Sequence, residues 1–203
     1  MSASGADPVE RLRRAVRRTA EVVRERPVTG LTHEDADGQA GTIGTDSAIG
    51  FDPVGLLAEF DRRGVRVVAI GQVAGILHGS AELTGDLDLL WDGSPEQAGP
   101  LAEAFAAVGA RLTDDDGRQL PCGPEAFLLP KVDFSTPAAS GDCCTPALNW
   151  GGLDVAGFGA RALSAPIGDG AVIHYLDLAD LIAMRRAVGR PKDLRRAAEL
   201  ERL

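Results

Sequence analysis

Two carboxylates separated by one residue, Asp86 and Asp88 in Thr84-Gly85-Asp86-Leu87-Asp88-Leu89-Leu90, are the side chains of this sequence best suited to chemistry. Side chains two apart on an extended strand leave the same face, so both acids would point one way while Leu87 and Leu89 point into a core. At about 3.3 Å of rise per residue the carboxylates stand roughly 7 Å apart, near enough to converge on one hard cation. Asp133, in Lys131-Val132-Asp133-Phe134, belongs to a later apolar run that reads as a strand.

The pair needs a platform, and the residues before it supply one. Val65, Val67, Val68 and Ile70 make a β-branched run that breaks at Gly71, and small residues follow to His78-Gly79-Ser80. The pattern predicts strand, turn, short helix, turn, strand over residues 65–91. Gly71 allows close backbone approach, and the helix after it would aim free amide groups at an anion. His78 reads as a packing or turn residue, because imidazole suits softer ions and no second histidine is spaced near it.

Elsewhere, Asp7-Pro8 supplies an acid N-cap and a first-turn proline for a helix to about residue 26, polar on most faces and expected to be solvated. Residues 27–50 hold five glycines without sustained period and read as a flexible linker. The expected division is therefore a basic helix with linker over 1–50 and a folded domain over 51–203. Helices are predicted near 53–63, 95–108, 177–188 and from 191 onward, where Gly64 and Gly189 act as stops. Short strands are predicted at 110–113, as one or two strands around Pro130 with the second carrying Asp133, and at 171–175. Residues 135–170, rich in Gly, Pro and Ser, give no secure pattern. The fold class is α/β (α+β): a short mixed sheet flanked by helices, with a helical carboxyl-terminal tail.

A chain of 203 residues suits one domain, or one domain with an appendage. Its net charge is -9, yet residues 1–26 carry seven Arg against four acids, which leaves -12 elsewhere. Such acidity argues against a general nucleic-acid coat while permitting a local basic patch. Cys122, Cys143 and Cys144 have neither Cys-x-x-Cys spacing nor an even count, which speaks against a zinc site or a disulfide framework and for reduced thiols in a cytosol. No apolar run approaches the ~18 residues of a membrane span and no signal-peptide core is visible, so a soluble cytoplasmic protein is expected.

Together these pieces resemble a minimal nucleotidyltransferase of the DNA polymerase β-like superfamily. The resemblance rests on Gly71-Gln72 ahead of a short helix, Asp86-Leu87-Asp88 on the next strand, and Asp133 on a later one. His78-Gly79-Ser80 with Thr84-Gly85-Asp86-Leu87-Asp88, and Asp180-Leu181-Ile182 with Gly189-Arg190-Pro191-Lys192-Asp193-Leu194, look like the abortive-infection toxin group, which includes toxins that transfer nucleotides to transfer RNA. The likeness spans residues 51–200 and implies a nucleotidyltransferase fold. It implies a nucleoside triphosphate as donor and an RNA acceptor such as the transfer-RNA 3′ end, together with an antitoxin protein partner. A protein side chain or a small molecule such as an aminoglycoside is the alternative acceptor, and a degenerate nucleotide-binding module the alternative to an enzyme. Implied residue roles are Asp86, Asp88 and, as the third acid, Asp133 holding two Mg²⁺ ions, with Asp142 and Asp154 as substitutes for Asp133, and Gly71, Gln72, Arg185, Arg190 and Lys192 contacting the nucleotide. Three positions depart from the group. Gln72 stands where Gly or Ser is usual, Glu82 stands where an arginine is common and would repel a triphosphate if it faced the site, and Arg185 stands where a lysine is common.

Overall fold

The computed structural model describes residues 7–32, 35 and 42–203. Helix α1 (Pro8–Val23) starts where Asp7 caps Val9 N–H. Two 3₁₀ turns, Thr42–Gly44 and Asp46–Ala48, lead to α2 (Val54–Arg62). Strand β1 (Val68–Ala69), α3 (Gly71–His78) and β2 (Leu89–Leu90) follow in the anticipated order, and then α4 (Pro95–Ala107). Beyond these come β3 (Arg111–Thr113), β4 (Gln119–Leu120), a 3₁₀ turn at Pro124–Leu128, β5 (Lys131–Ser135) and β6 (Ser140–Cys144). The chain closes with α5 (Phe158–Arg161), β7 (Leu163–Gly168), β8 (Ala171–Tyr175), α6 (Leu178–Val188) and α7 (Pro191–Leu200). Gly189 ends α6 in the left-handed conformation and Pro191 opens α7.

All eight strands among the described residues join one mixed sheet in the order β4-β3-β5-β6-β2-β1-β8-β7. The sheet is larger than the short one expected. Three of its strands, β4, β6 and β7, lie where sequence pattern gave nothing secure: β4 has only two residues, and β6 (Ser140–Cys144) and β7 (Leu163–Gly168) carry Gly or Pro, residue types that strands disfavour. In the sheet centre β1 runs antiparallel to β2 and parallel to β8, while β2 runs parallel to β6.

The apolar side chains fall into two clusters on opposite faces of the sheet. Val67, Ala69, Leu87, Leu89, Val132, Phe134 and Cys143 sit in the larger one, covered by residues from α1, α2, α3 and α4. Val68, Ile70, Leu90 and Cys144 sit in the smaller one, with Trp150, Phe158, Leu181, Met184 and Leu200. From α4, Leu101 and Phe105 are fully buried in the larger cluster, and Val108 packs at its margin.

The first helix differs from expectation. Val9 and Leu12 are buried in the same cluster as Val67 and Leu87, and Thr19 and Val23 are buried too. An apolar stripe of this kind outweighs the polar remainder of the helix, because burial near 25 cal/mol per Å² accrues only along the face that packs. Its five arginines mostly stay in solvent, but Arg11 donates to Leu77 O at 2.8 Å and Arg13 to Ile167 O at 2.6 Å. Residues 33, 34 and 36–41 of the expected linker lie outside the described residues. The described part that follows is packed: Thr42, Thr45 and Ala48 are buried.

Candidate active site

Strand register decides which side chains meet. Val68 stands opposite Leu90 on β2, Leu90 opposite Cys144 on β6, and Cys144 opposite Lys131 on β5, so these four share a face. Two residues along each strand, the next row on that face is Asp88, Asp142 and Asp133, and Asp142 is directly paired with Asp133. Neighbouring strands lie about 4.8 Å apart, so Asp142 is one spacing from Asp88 and Asp133 two, roughly 10 Å. A cavity of about 420 Å³ opens over this face; Asp86, Asp88 and Asp142 line it, and Asp133 does not. Asp133 is 2% exposed and held at 3.0 Å by Lys131 Nζ. Asp154 is exposed and accepts from Ala156 N–H in a turn. The structure thus brings the expected pair together and sets Asp142 beside it in the position assigned to Asp133.

Only Leu89–Leu90 of the Asp-x-Asp segment forms ladder pairs, yet the segment is strand-like. Asp88 O accepts from Ile70 N–H at 2.9 Å, and Leu87 N–H donates to Ser140 O at 2.9 Å. Its backbone groups therefore alternate between the two neighbouring strands, and the side-chain alternation survives: Leu87 and Leu89 are fully buried, Asp86 and Asp88 partly open.

Gly71 is required by Asp88. Its φ is +58°, and an added Cβ would lie 1.8 Å from Asp88 Oδ2. Asp86 is oriented from the other side: Thr84 Oγ1, itself buried, donates to Asp86 Oδ1. Thr84 is gripped in turn by Thr42 Oγ1 at 3.2 Å and by Thr19 Oγ1, which donates to Thr84 O at 3.3 Å. Gly85 admits this support, since a Cβ there would stand 2.6 Å from Ala48. Residues before position 50 thus buttress the first acid of the pair.

Burial and the neighbouring Asp86 push the Asp88 carboxyl up to about 7, against the opposing pull of Lys192, Arg190 and Arg196. Those three cations and Arg185 line the same cavity. Arg185 is 4% exposed, with Nη2 donating to Gly71 O at 2.8 Å and to Gln72 Oε1 at 3.0 Å. Its Nε and Nη1 are buried with no hydrogen-bond partner in the protein. Burial, with Arg196 nearby, lowers its pKa to about 10. A buried guanidinium with two idle donors beside a cavity calls for an anion.

Gln72 does not project toward that anion. It is 2% exposed, donates to Ser80 Oγ at 3.0 Å and Glu82 O at 2.9 Å, and offers Oε1 to Arg185. Nor is Glu82 a bare repulsive charge: Arg196 donates to its Oε1 through Nε at 3.0 Å and Nη2 at 2.6 Å. Although burial alone would raise the Glu82 pKa, that pairing holds it below the usual carboxylate range. Arg190 bonds Asp193 at 2.6 Å. Lys131 also lines the cavity; burial opposes its charge, but Asp142, Asp133 and Asp115 outweigh burial and keep it protonated beyond its ordinary range. His78 packs edge-on against Tyr175 and bonds Leu176 O at 2.8 Å through Nε2.

Arg196 and Lys131 were not among the expected site residues. Arg196 had a signal: it follows Lys192 by four, which places both on one side of a helix. Lys131 had a weaker one, its alternation with Asp133.

No protein-family model matches the chain, and no curated protein matches it. The site must therefore be read from its own chemistry. Among the described residues no group of three or more His, Cys, Asp or Glu side chains meets as a ready-made metal cluster. The carboxylates that could hold a cation are the pair Asp86 and Asp88, with Asp142 alongside in the same cavity. Hard carboxylate oxygens crowded enough to raise the Asp88 pKa fit a hard divalent cation such as Mg²⁺. No described helix is long and apolar enough to cross a membrane.

Proposed function

We propose that this chain is a nucleotidyltransferase in fold and activity, moving a nucleotidyl group from a nucleoside triphosphate to an acceptor hydroxyl with the help of Mg²⁺. One observation carries the reading: a carboxylate pair suited to a cation and the buried guanidinium-bearing Arg185, with Arg190, Lys192 and Arg196, line a single cavity. A triphosphate complexed with a divalent ion presents both complementary charges. The β1–Gly71–α3–β2 unit, which sets Asp88 against Gly71, supports the fold assignment.

In this reading Asp86 and Asp88 hold Mg²⁺, which when bound would draw charge from the phosphate oxygens during transfer. Arg185, fixed by Gly71 O and Gln72, offers its remaining N–H groups to a phosphate, and Arg190, Lys192 and Arg196 add positive charge on the same side. The acceptor oxygen attacks the α-phosphorus, the bond to the β-phosphate oxygen breaks, and pyrophosphate leaves. Asp142, on the neighbouring strand, takes the proton of the acceptor hydroxyl. The apolar wall of the cavity, Leu148, Trp150 and Met184, excludes water and suits a nucleobase.

The family resemblance supplies the acceptor: RNA, with the 3′ end of transfer RNA first, in the setting of a toxin restrained by an antitoxin. The test is incubation of the pure protein with each labelled triphosphate, Mg²⁺ and total RNA, beside Asp86→Ala. Label in RNA and pyrophosphate release with the wild type alone are expected. Label on protein or on an aminoglycoside would move the acceptor, and no label with any triphosphate would defeat transfer. A second reading, a triphosphate-binding module without catalysis, has in its favour the tie of Asp142 to Lys131 at 3.9 Å. It requires Mg²⁺-dependent triphosphate binding without pyrophosphate release.

A further inference from the structure

The row Asp88, Asp142, Asp133 sets three like charges on adjacent strands, an arrangement that repels unless cations intervene. One is built in. Lys131 shares a face of β5 with Asp133, and its Nζ stands 3.0 Å from Asp133 Oδ1, 3.0 Å from Asp115 Oδ1 and 3.9 Å from Asp142 Oδ1. It is anchored at the sheet floor, its side chain is 23% exposed, and it lines the cavity beside Asp86, Asp88 and Asp142.

In a two-cation site the ions lie about 3.5–4 Å apart, one at the attacking oxygen and one at the leaving oxygen, and a third carboxylate serves the ion nearer the acceptor. Here that third carboxylate, Asp142, already faces an ammonium that belongs to the protein. A second divalent ion against Asp142 would have to approach a fixed positive charge.

We propose that Lys131 stands in for the second cation, so that the site takes one divalent ion, between Asp86 and Asp88, and uses the Lys131 ammonium as the positive charge on the acceptor side. The inference rests on the nucleotidyl-transfer reading of the cavity and replaces the expected two Mg²⁺ ions by one ion and one lysine. Lys131 makes and breaks no bond in the transfer. It faces the negative charge that grows on the attacking oxygen as the hydroxyl proton departs, and it keeps Asp142 apart from the ion. If Lys131 served only to neutralise buried Asp133, cation count would not depend on it, and this separates the two roles.

The test is a titration of the full chain with Mn²⁺ alone, counting bound ions by electron paramagnetic resonance of the free ion. The wild type is expected to bind one Mn²⁺ per chain, Lys131→Arg one, and Lys131→Met two. Since Lys131→Met strips the counter-charge from buried Asp133, Lys131→Met combined with Asp133→Asn restores a neutral pair, and it too is expected to bind two. Two ions in the wild type, or one in both methionine variants, would overturn the proposal. A count of zero in every form would overturn it together with the cation site of the transfer reading, and the zero distinguishes that failure from the others.

Discussion

The two faces of the Asp-x-Asp segment obey one geometry and opposite chemistry. Leu87 and Leu89 enter a continuous apolar cluster that helices α1 to α4 close off, while Asp86 and Asp88, offset by a single residue, enter a cavity that α6 and α7 leave open and furnish with cations. The closed face gains stability from burial, whereas the open face gives some up, because two carboxylates stand together there with one of them pushed up to about 7. Strain concentrated on one face of a well-packed strand is what a binding site for a charged ligand requires.

Three substitutions set the faces against each other. Leu87→Ala should be the most damaging to the fold, removing a fully buried side chain at a cost of about 3–4 kcal/mol, read as a large fall in thermal midpoint with binding lost only as the protein unfolds. Loss of ligand binding at temperatures where the variant remains folded would show that the faces are not separable. Gly71→Ala should do the converse: a methyl 1.8 Å from Asp88 Oδ2 at φ +58° must displace that carboxylate, lowering transfer and divalent-ion affinity by about 10–100-fold for about 1–2 kcal/mol of stability. Unchanged ion affinity in that variant would mean that Asp88 is not a ligand.

The smallest effect concerns pH. Asp88 in the folded protein has its pKa raised to about 7 from 3.8, so between these values the folded state holds a proton that the unfolded state has lost. Stability of the metal-free protein should therefore fall as pH rises through that window and stay reduced above it. Asp88→Asn should flatten this slope and raise the thermal midpoint at pH 8, measured by scanning calorimetry in chelator. A lower midpoint at pH 8 would show that the carboxylate is stabilised in the empty site.

Much of the local structure could be read along the chain because short-range rules govern it. Asp7 and Asp177 cap α1 and α6 through their own side chains, Gly189 takes the left-handed turn, and the alternation of Asp86, Leu87, Asp88 and Leu89 survives even without a full ladder. One local signal went unread. Asp169-Gly170, both at positive φ, makes a two-residue turn joining β7 to β8, and this dipeptide is a strong hairpin marker that would have located β7 in a region without periodicity.

What the sequence determined by itself is that Asp86 and Asp88 share a face behind a glycine turn, since a period of two and the steric freedom of glycine need no knowledge of the rest of the molecule. Which further residues join them was decided by tertiary structure. Asp142 outranks Asp133 because β6, not β5, lies beside β2; Glu82 is neutralised because α7 brings Arg196 to it; and Arg185 becomes a buried cation because α6 packs over Gln72. Strand order and helix docking follow from the burial of side chains far apart in the chain, and no spacing along the sequence encodes them.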